Sequence, residues 1–527
     1  MTRLTRFFHN YAEDTLHYHR EMGDAFERRV GMRTLYLCHP RLVEHVLTTG
    51  SANYVKGGAY RVVRDVLGEG VFVSTGELWS RQRRLLAPEL SAAHLEHHMP
   101  ALREDLELLT QSWNDCASSQ GALDLEQTLS EFSLRLLGHS LLHTSESDTA
   151  KLGVITSSMD AKLEQSTKRL LSGGLLQPWL PTPGNVRARV AEQKMTRVIA
   201  GLISQARRNA QERRLRDQRV QALVDSQPPA PGPEDSQTGY AIHRSECRDR
   251  TRALLSSAHH RAVRLALRCE SPSAWEDAAP SLGKGCPFGF DRPRPSDEDE
   301  RGHQQSVVER MLGAPDPRTG LEMSDDQLHA LYRSLFFTGH ATLALTVTWS
   351  LLCLLHAPLV ENQLVAEVRR VLAGRLPRLE DIPKLTYTRQ VVLETLRMFP
   401  PIPAVSREAR EAESFMGVSV RAGETITIPL YVLHRHPRFW ADPERFNPGR
   451  FGPDQPAPDP FAYMPFLQGE RSCPASSLAV LIAVACLATI VDRFQLRARN
   501  PGPLRASAKI CLRPDPAPEV LVRWRPR

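Results

Sequence analysis

Cys473 stands in the run Pro465-Phe466-Leu467-Gln468-Gly469-Glu470-Arg471-Ser472-Cys473-Pro474-Ala475, a setting that suits a cysteine binding iron. Iron takes cysteine as its thiolate, and the thiolate pushes electron density towards O–O cleavage. A buried thiolate needs backbone N–H donors and gains from a helix N-terminus that follows it. Gly469 permits a tight loop, Arg471 offers a fixed cation to an anionic group, and Phe466 can pack beside the sulfur and keep water away. Taken alone, Cys473 also fits a core thiol, because free cysteine is among the most buried residue types.

Two further pairs have helical spacing. Glu394 and Arg397 are three apart, which puts them on one helix face. Such a pair is commonly a solvated surface pair, but Phe399-Pro400-Pro401 follows this one at once. Trp79 and Arg83 are four apart in Trp-Ser-Arg-Gln-Arg-Arg. One turn of helix lets both reach the same anion. An amphipathic surface helix would explain Arg81 and Arg84 equally well.

Taken together, these segments resemble the cytochrome P450 family. Phe466, Gly469, Arg471 and Cys473 match its haem-binding signature, with Ala475 where the last glycine would be and Leu467 where many members have Gly or Ser. Glu394 and Arg397 match its ExxR pair. Phe446-Asn447-Pro448-Gly449-Arg450-Phe451 is similar to the segment whose arginine completes a Glu-Arg-Arg network, a role that fits Arg450 better than Arg445. The resemblance implies that Trp79, Arg83, Arg471 and Arg407 hold haem propionates and that Cys473 ligates the iron. Glu394, Arg397 and Arg450 would be structural supports.

The oxygen-handling segment departs from the family pattern. In Phe337-Thr338-Gly339-His340-Ala341-Thr342-Leu343, Gly339 would let the helix open and Thr342 resembles the family's oxygen-stabilising threonine. The acid before it is replaced by Ala341. General acid work needs a titratable group within reach, and Ala341 supplies none. His340 is turned about 100° around the helix from that position, so it is expected to face away. Proton delivery through water and Thr342, a polar group on the substrate, or chemistry of another kind (coupling, desaturation, peroxide use) are the open alternatives.

The resemblance covers the chain from about Leu4 to the C-terminus and implies a mainly α fold. A small β-rich region and one buried haem b would sit within a single domain over residues 1–527. The helices around Leu335–Leu355 and Leu478–Val491 would flank the haem. It further implies O2, a small apolar substrate and electrons from NAD(P)H through a separate ferredoxin or similar protein. No flavin or iron–sulfur motif occurs in the sequence. A haem-thiolate sensor without turnover, or a scaffold working through its insertion, are the rival classes.

The elements that must position these residues are legible in outline. Short strands are expected at Arg33–Cys38 and Val71–Ser74, with helical spacing from Pro40 to Thr49. Helices are expected from Glu77 to about Ala210, broken at Ser172–Asn185. Ser324 or Asp325 caps a helix, another holds Thr386–Met398, and Val418–Leu430 reads as strand with a turn at Gly423. Residues 217–305 carry Pro228–Pro233 and the acidic run Ser296–Arg301 and read as an atypical, flexible insertion.

The chain has 527 residues, 41% hydrophobic and 24% charged, with net charge +7. The mild, mostly arginine excess favours an acidic protein partner, with Arg81 and Arg84 among its contacts, over nucleic acid, because no compact basic block appears. Nine cysteines without CxxC spacing suggest a reducing compartment. The polar start and the short apolar run Leu478–Val491 suggest a cytoplasmic protein with no transmembrane anchor. Cys286-Pro287, Cys247, Cys269, His259 and His260 match no zinc spacing. The apolar loop Leu175–Pro183 suggests a greasy substrate.

Overall fold

The computed structural model describes residues 10–225 and 307–526, apart from 31, 59, 92–93, 120, 143, 145–148, 172–176, 314–315, 317 and 509. Ten helices of twelve residues or more dominate the described chain: α1 (Tyr11–Met22), α2 (Gly76–Glu89), α3 (Leu95–Ser118), α4 (Leu125–Leu137), α5 (Thr149–Leu171), α6 (Pro183–Asp225), α7 (Asp325–Leu355), α8 (Pro358–Leu372), α9 (Thr386–Met398) and α10 (Ser476–Arg493). The strands are β1 (Ala25–Val30), β2 (Met32–Leu37), β3 (Tyr54–Val55), β4 (Ala122–Asp124), β5 (Val405–Ala409), β6 (Glu413–Phe415), β7 (Val418–Val420), β8 (Thr425–Ile428), β9 (Phe494–Ala498), β10 (Ala506–Ala508), β11 (Leu512–Pro514) and β12 (Glu519–Trp524). A five-stranded sheet runs in the order β1-β2-β8-β5-β3, a three-stranded one in the order β4-β12-β9, and β6-β7 and β10-β11 are separate pairs.

Local chemistry sets the helix that matters most. Ser324 caps α7: its hydroxyl accepts the Gln327 N–H (3.3 Å), and the Gln327 side chain accepts the Ser324 N–H (3.1 Å). This reciprocal box satisfies two orphan donors, and Asp325 and Asp326 suit the positive end of the helix dipole. From Leu343 to Leu354 every residue of α7 is buried. Trp349 stacks on Phe399 at 4.0 Å and donates to the Leu512 carbonyl at 2.9 Å. Ser350 donates to the Thr395 hydroxyl (3.2 Å) and ties α7 to α9. α10 is buried almost throughout, and each large aliphatic side chain so buried contributes about 1.5–3 kcal/mol. α7 and α10 are long and apolar enough to cross a membrane by length and composition, and both are mostly buried in the core.

Three sequence expectations need correction. Val71–Ser74 is not a strand but a turn, with the Val73 and Ser74 N–H groups both donating to the Gly70 carbonyl at 2.9 Å. The cause is remote: Gly70 lies so close to α7 that a Cβ there would sit 2.4 Å from the Ala330 carbonyl oxygen. The break before α6 ends at Thr182 rather than Asn185, because Pro183 opens the helix and proline at the first helical position has the helical φ already set. Finally, α6 continues to Asp225, eight residues beyond the start of the proposed 217–305 insertion. The rest of that segment lies outside the described residues, as do Cys247, His259, His260, Cys269 and Cys286.

Candidate active site

The 466–473 loop is closed by a backbone bond from the Cys473 N–H to the Phe466 carbonyl (2.8 Å). Phe466 itself packs against the main core. Two residues of the loop adopt the left-handed region: Leu467 (φ 62°) and Gly469 (φ 77°). At Gly469 glycine is required twice over, since an added Cβ would meet the Leu47 carbonyl oxygen at 2.2 Å. α10 begins three residues after Cys473. Burial pushes the Cys473 thiol up, while the Ala475 N–H and the Arg83 guanidinium favour its thiolate.

Beside the loop is a wall of cations. Arg471 lies 3.7 Å over the Trp79 ring and donates to the Ser74 carbonyl (3.0 Å). Its carboxylate partner is Glu470, 3.4 Å away and exposed. Arg407 is buried on β5 and donates to the adjacent Ser406 carbonyl (2.9 Å). Lys56 donates to the Phe72 carbonyl. Burial, then Arg471, Arg407 and Arg64, pull the Lys56 ammonium down to about 6. Burial also lowers Arg83 and Arg471. Among the described residues, Arg83, Arg407, Arg471 and the basic Lys56 have only the peripheral Glu470 as an ion-pair partner; an anionic ligand would complete the group and hold Lys56 charged. Lys56 carried no sequence signal, being a lone lysine before two glycines. Its role emerges only when the fold brings β5 and the Cys473 loop beside it.

Under the loop, Glu394 and Arg397 are fully buried and joined by two bonds of 2.7 and 2.9 Å. Glu394 also accepts the Asn447 N–H (2.8 Å) and the Arg450 Nε–H (3.3 Å). Arg397 donates further to the His434, Pro443 and Arg445 carbonyls at 2.9, 2.8 and 3.3 Å. Arg445 thus contributes a carbonyl here, and Arg450 contributes the guanidinium.

His434 adds an acid-sensitive point to this network. It is buried, and its Nε2 accepts the Met464 N–H at 3.1 Å. Burial, then Arg397 and Arg435, pull its imidazole down to about 3. An unfolded histidine takes up its proton near ~6.5, so between these values the unfolded chain binds more protons. The stability tied to this group is complete above the unfolded value and is lost as pH falls towards the folded one. Between about pH 6.5 and 5 the loss is about 2 kcal/mol. Urea titrations at the two pH values should show it, and His434→Gln should remove that part of the slope.

On α7, the helix runs unbroken through Gly339, so the expected opening is not present. Instead Gly339 makes room for Leu137 of α4, whose methyl groups would lie 2.9 Å from an added Cβ. The Thr342 hydroxyl donates back to the Thr338 carbonyl (2.6 Å). Ala341 is buried and offers no proton. The His340 Nδ1–H donates to the Phe336 carbonyl, and its electrostatic neighbours are Asp160 of α5 and Arg513 of β11.

Arg81 and Arg84 are not free for a partner. Arg84 pairs with Asp316 (2.9 Å) and Glu77 (2.9 Å), and Arg81 donates to the Leu321 and Glu322 carbonyls. Both are committed to holding the 316–322 segment against α2, a contact more than two hundred residues distant in sequence.

The cytochrome P450 family model matches residues 3–241 and 294–520. The chain belongs to the cytochrome P450 family. Members of this family are haem-thiolate monooxygenases, so the cofactor of this P450 is haem held through a cysteine thiolate. The donor set fits that group: a deep thiol before a helix N-terminus, beside a wall of incompletely paired cations. The P450 is 25% identical to cyclooctatin synthase of Streptomyces melanosporofaciens, over 90% of this chain and 83% of that protein. It is 24% identical to pentalenene oxygenase of Streptomyces avermitilis, over 92% and 87%. Its fold matches the haem domain of cytochrome P450DA with a TM-score of 0.72 at 18% identity, covering 98% of this chain and 93% of that one. Residues 242–293 fall outside the family match.

Proposed function

We propose that this P450 inserts one oxygen atom from O2 into an apolar small molecule of the fatty-acid, terpene or polyketide-like kind. Electrons come from NAD(P)H through a separate ferredoxin-type protein. The observation that carries this reading is Cys473, deep in the fold before α10 and beside the wall of Trp79, Arg83, Arg407 and Arg471. Haem bound there supplies the oxidising chemistry. Cys473 holds the iron, and the Ala475 N–H and Arg83 favour its charged form. Arg83, Arg407, Arg471 and Lys56 would neutralise the propionates, and the Trp79 indole N–H would donate to one of them. Phe466 and Gly469 shape the loop, and Glu394, Arg397 and Arg450 keep it in place. On the other face, Gly339 and Thr342 line the reacting side. Thr342 is the hydroxyl nearest in sequence to the missing acid, and proton delivery runs through it and water. The names of the two Streptomyces relatives support an apolar substrate.

The test is turnover. Purified protein with a bacterial ferredoxin, its reductase and NADPH should convert members of a panel of terpenes and fatty acids to products 16 mass units heavier, with the label from 18O2 retained. Products formed only with hydrogen peroxide, and none with O2 and electrons, would overturn the monooxygenase reading.

A further inference from the structure

Two histidines and a carboxylate that serve none of the roles above converge at one point. α1 ends at Met22, and Gly23, with φ 87°, turns the chain back. The Gly23 N–H donates to the His19 carbonyl (2.9 Å), and the Gly23 carbonyl accepts the His19 Nδ1–H (3.0 Å). Asp24 follows, at a bend just before β1. From the other side comes His436, three residues after the short helix Leu430–Leu433. Its Nε2–H donates to an Asp24 carboxylate oxygen at 3.0 Å, and the His19 Nδ1 is 3.9 Å from the same oxygen. The two imidazole rings are 5.0 Å apart. One ring nitrogen of each histidine and one Asp24 oxygen all lie within 4.8 Å of one another, and among the described residues this is the one such group of three. Both histidines are buried and Asp24 is 29% exposed, so the point is sheltered yet open to solvent on one side.

The charge states suit ligands. Burial, against the pull of Asp24, lowers the His436 imidazole. Burial alone would raise the Asp24 carboxyl, but the His436 hydrogen bond and the charges of His436, His39 and His19 outweigh it and hold the carboxyl low. At neutral pH Asp24 is therefore ionised and His436 carries no second proton, as metal ligation requires. Two nitrogens and an oxygen are the donor set of zinc and its borderline neighbours, with a fourth position left for water. Zinc bonds of about 2.0–2.1 Å set neighbouring ligand atoms about 3.4 Å apart, so these three would draw in by up to about 1.5 Å. Two contacts oppose the ion. The Arg438 guanidinium is 3.6 Å from Asp24, and the Arg438 N–H donates to the His436 Nδ1 at 3.2 Å. A metal at Nε2 moves the ring proton to Nδ1, so that this N–H must turn to solvent. The Arg438 side chain is 72% exposed and can leave.

We propose that His19, Asp24 and His436 form a binding site for a zinc-class divalent ion. The bound ion ties the end of α1 to the chain two residues beyond His434, whose carbonyl accepts from Arg397 in the network under the Cys473 loop. The site is structural and independent of the substrate reading.

The test is calorimetric titration of zinc chloride into haem-loaded full-length protein, stripped of other metals with a chelator and desalted, at about pH 7.5. A single zinc per chain should bind with a dissociation constant of about 10 μM or tighter, and it should raise the thermal midpoint. His19→Gln, His436→Gln and Asp24→Asn should each weaken binding by at least about tenfold. Arg438→Ala removes the competing cation and should tighten it by about twofold to fivefold. That exposed position keeps the test decisive if a buried substitution prevents folding, which the haem spectrum shows before zinc is added. A large excess of magnesium should leave zinc binding unchanged, because magnesium takes oxygen ligands. Binding weaker than about 1 mM, several equal weak sites in place of one, displacement by magnesium, an affinity untouched by all three ligand substitutions, or no tightening in Arg438→Ala would overturn the proposal.

Discussion

Glu394→Ala destabilises the protein by about 3–5 kcal/mol and leaves it unable to retain haem. That is the usual range when one partner of a buried ion pair is removed. Arg397 has no exposed surface, and both of its bonds to a carboxylate go to Glu394. Without Glu394 its charge is held only by backbone carbonyls and the face of Trp440. The Asn447 N–H and the Arg450 side chain lose their acceptor in the same step. Arg450→Met is the contrasting case. Its bond is longer (3.3 Å) and its side chain is 13% exposed, so the loss should be about 1 kcal/mol. Urea midpoints and the haem-to-protein ratio measure both. A Glu394→Ala protein within about 1 kcal/mol of the parent would show that the network is not what holds the loop.

Gly469→Ala is the second large effect. The substitution meets two separate obstacles. A residue with a Cβ pays about 1–2 kcal/mol to sit in the left-handed region. The new methyl group would also lie 2.2 Å from the Leu47 carbonyl oxygen, which belongs to the π-helical turn His45–Thr49 and cannot swing aside as a side chain does. Overpacking of this kind adds about 1–3 kcal/mol, and the relief available is to push the Cys473 loop away. Gly423→Ala isolates the first term, because Gly423 has φ 73° and no atom within 4 Å of the added Cβ. The expected order is a small stability loss with normal haem content at Gly423, and a loss of about 2–5 kcal/mol with depleted haem at Gly469. Equal behaviour of the two variants would remove the Leu47 contact from the account.

How far the sequence could be read depended on how local the cause was. α9 ends at Met398 as its Pro400-Pro401 stop implies, and Ser324 caps α7 through Gln327 three residues on. Both are short-range chemistry. Val71–Ser74 failed as a strand because the decisive contact, Gly70 against Ala330 and Ser334, is with a helix some 260 residues later. Arg81 and Arg84 looked like free cations because Asp316 and the Leu321 and Glu322 carbonyls are equally remote. The Cys473 loop was legible because its glycine, arginine and cysteine fall within a single turn. Lys56 was not, since it acquires meaning only from neighbours on other elements.

The central claim is that Cys473 ligates haem iron as a thiolate, and the spectrum of the reduced protein under carbon monoxide tests it most directly. The account predicts the thiolate-type band for the unmodified protein and its loss in Cys473→Ser, with haem still bound in part through the cation wall. A haem-containing protein without that band, or a band that persists in Cys473→Ser, would contradict it.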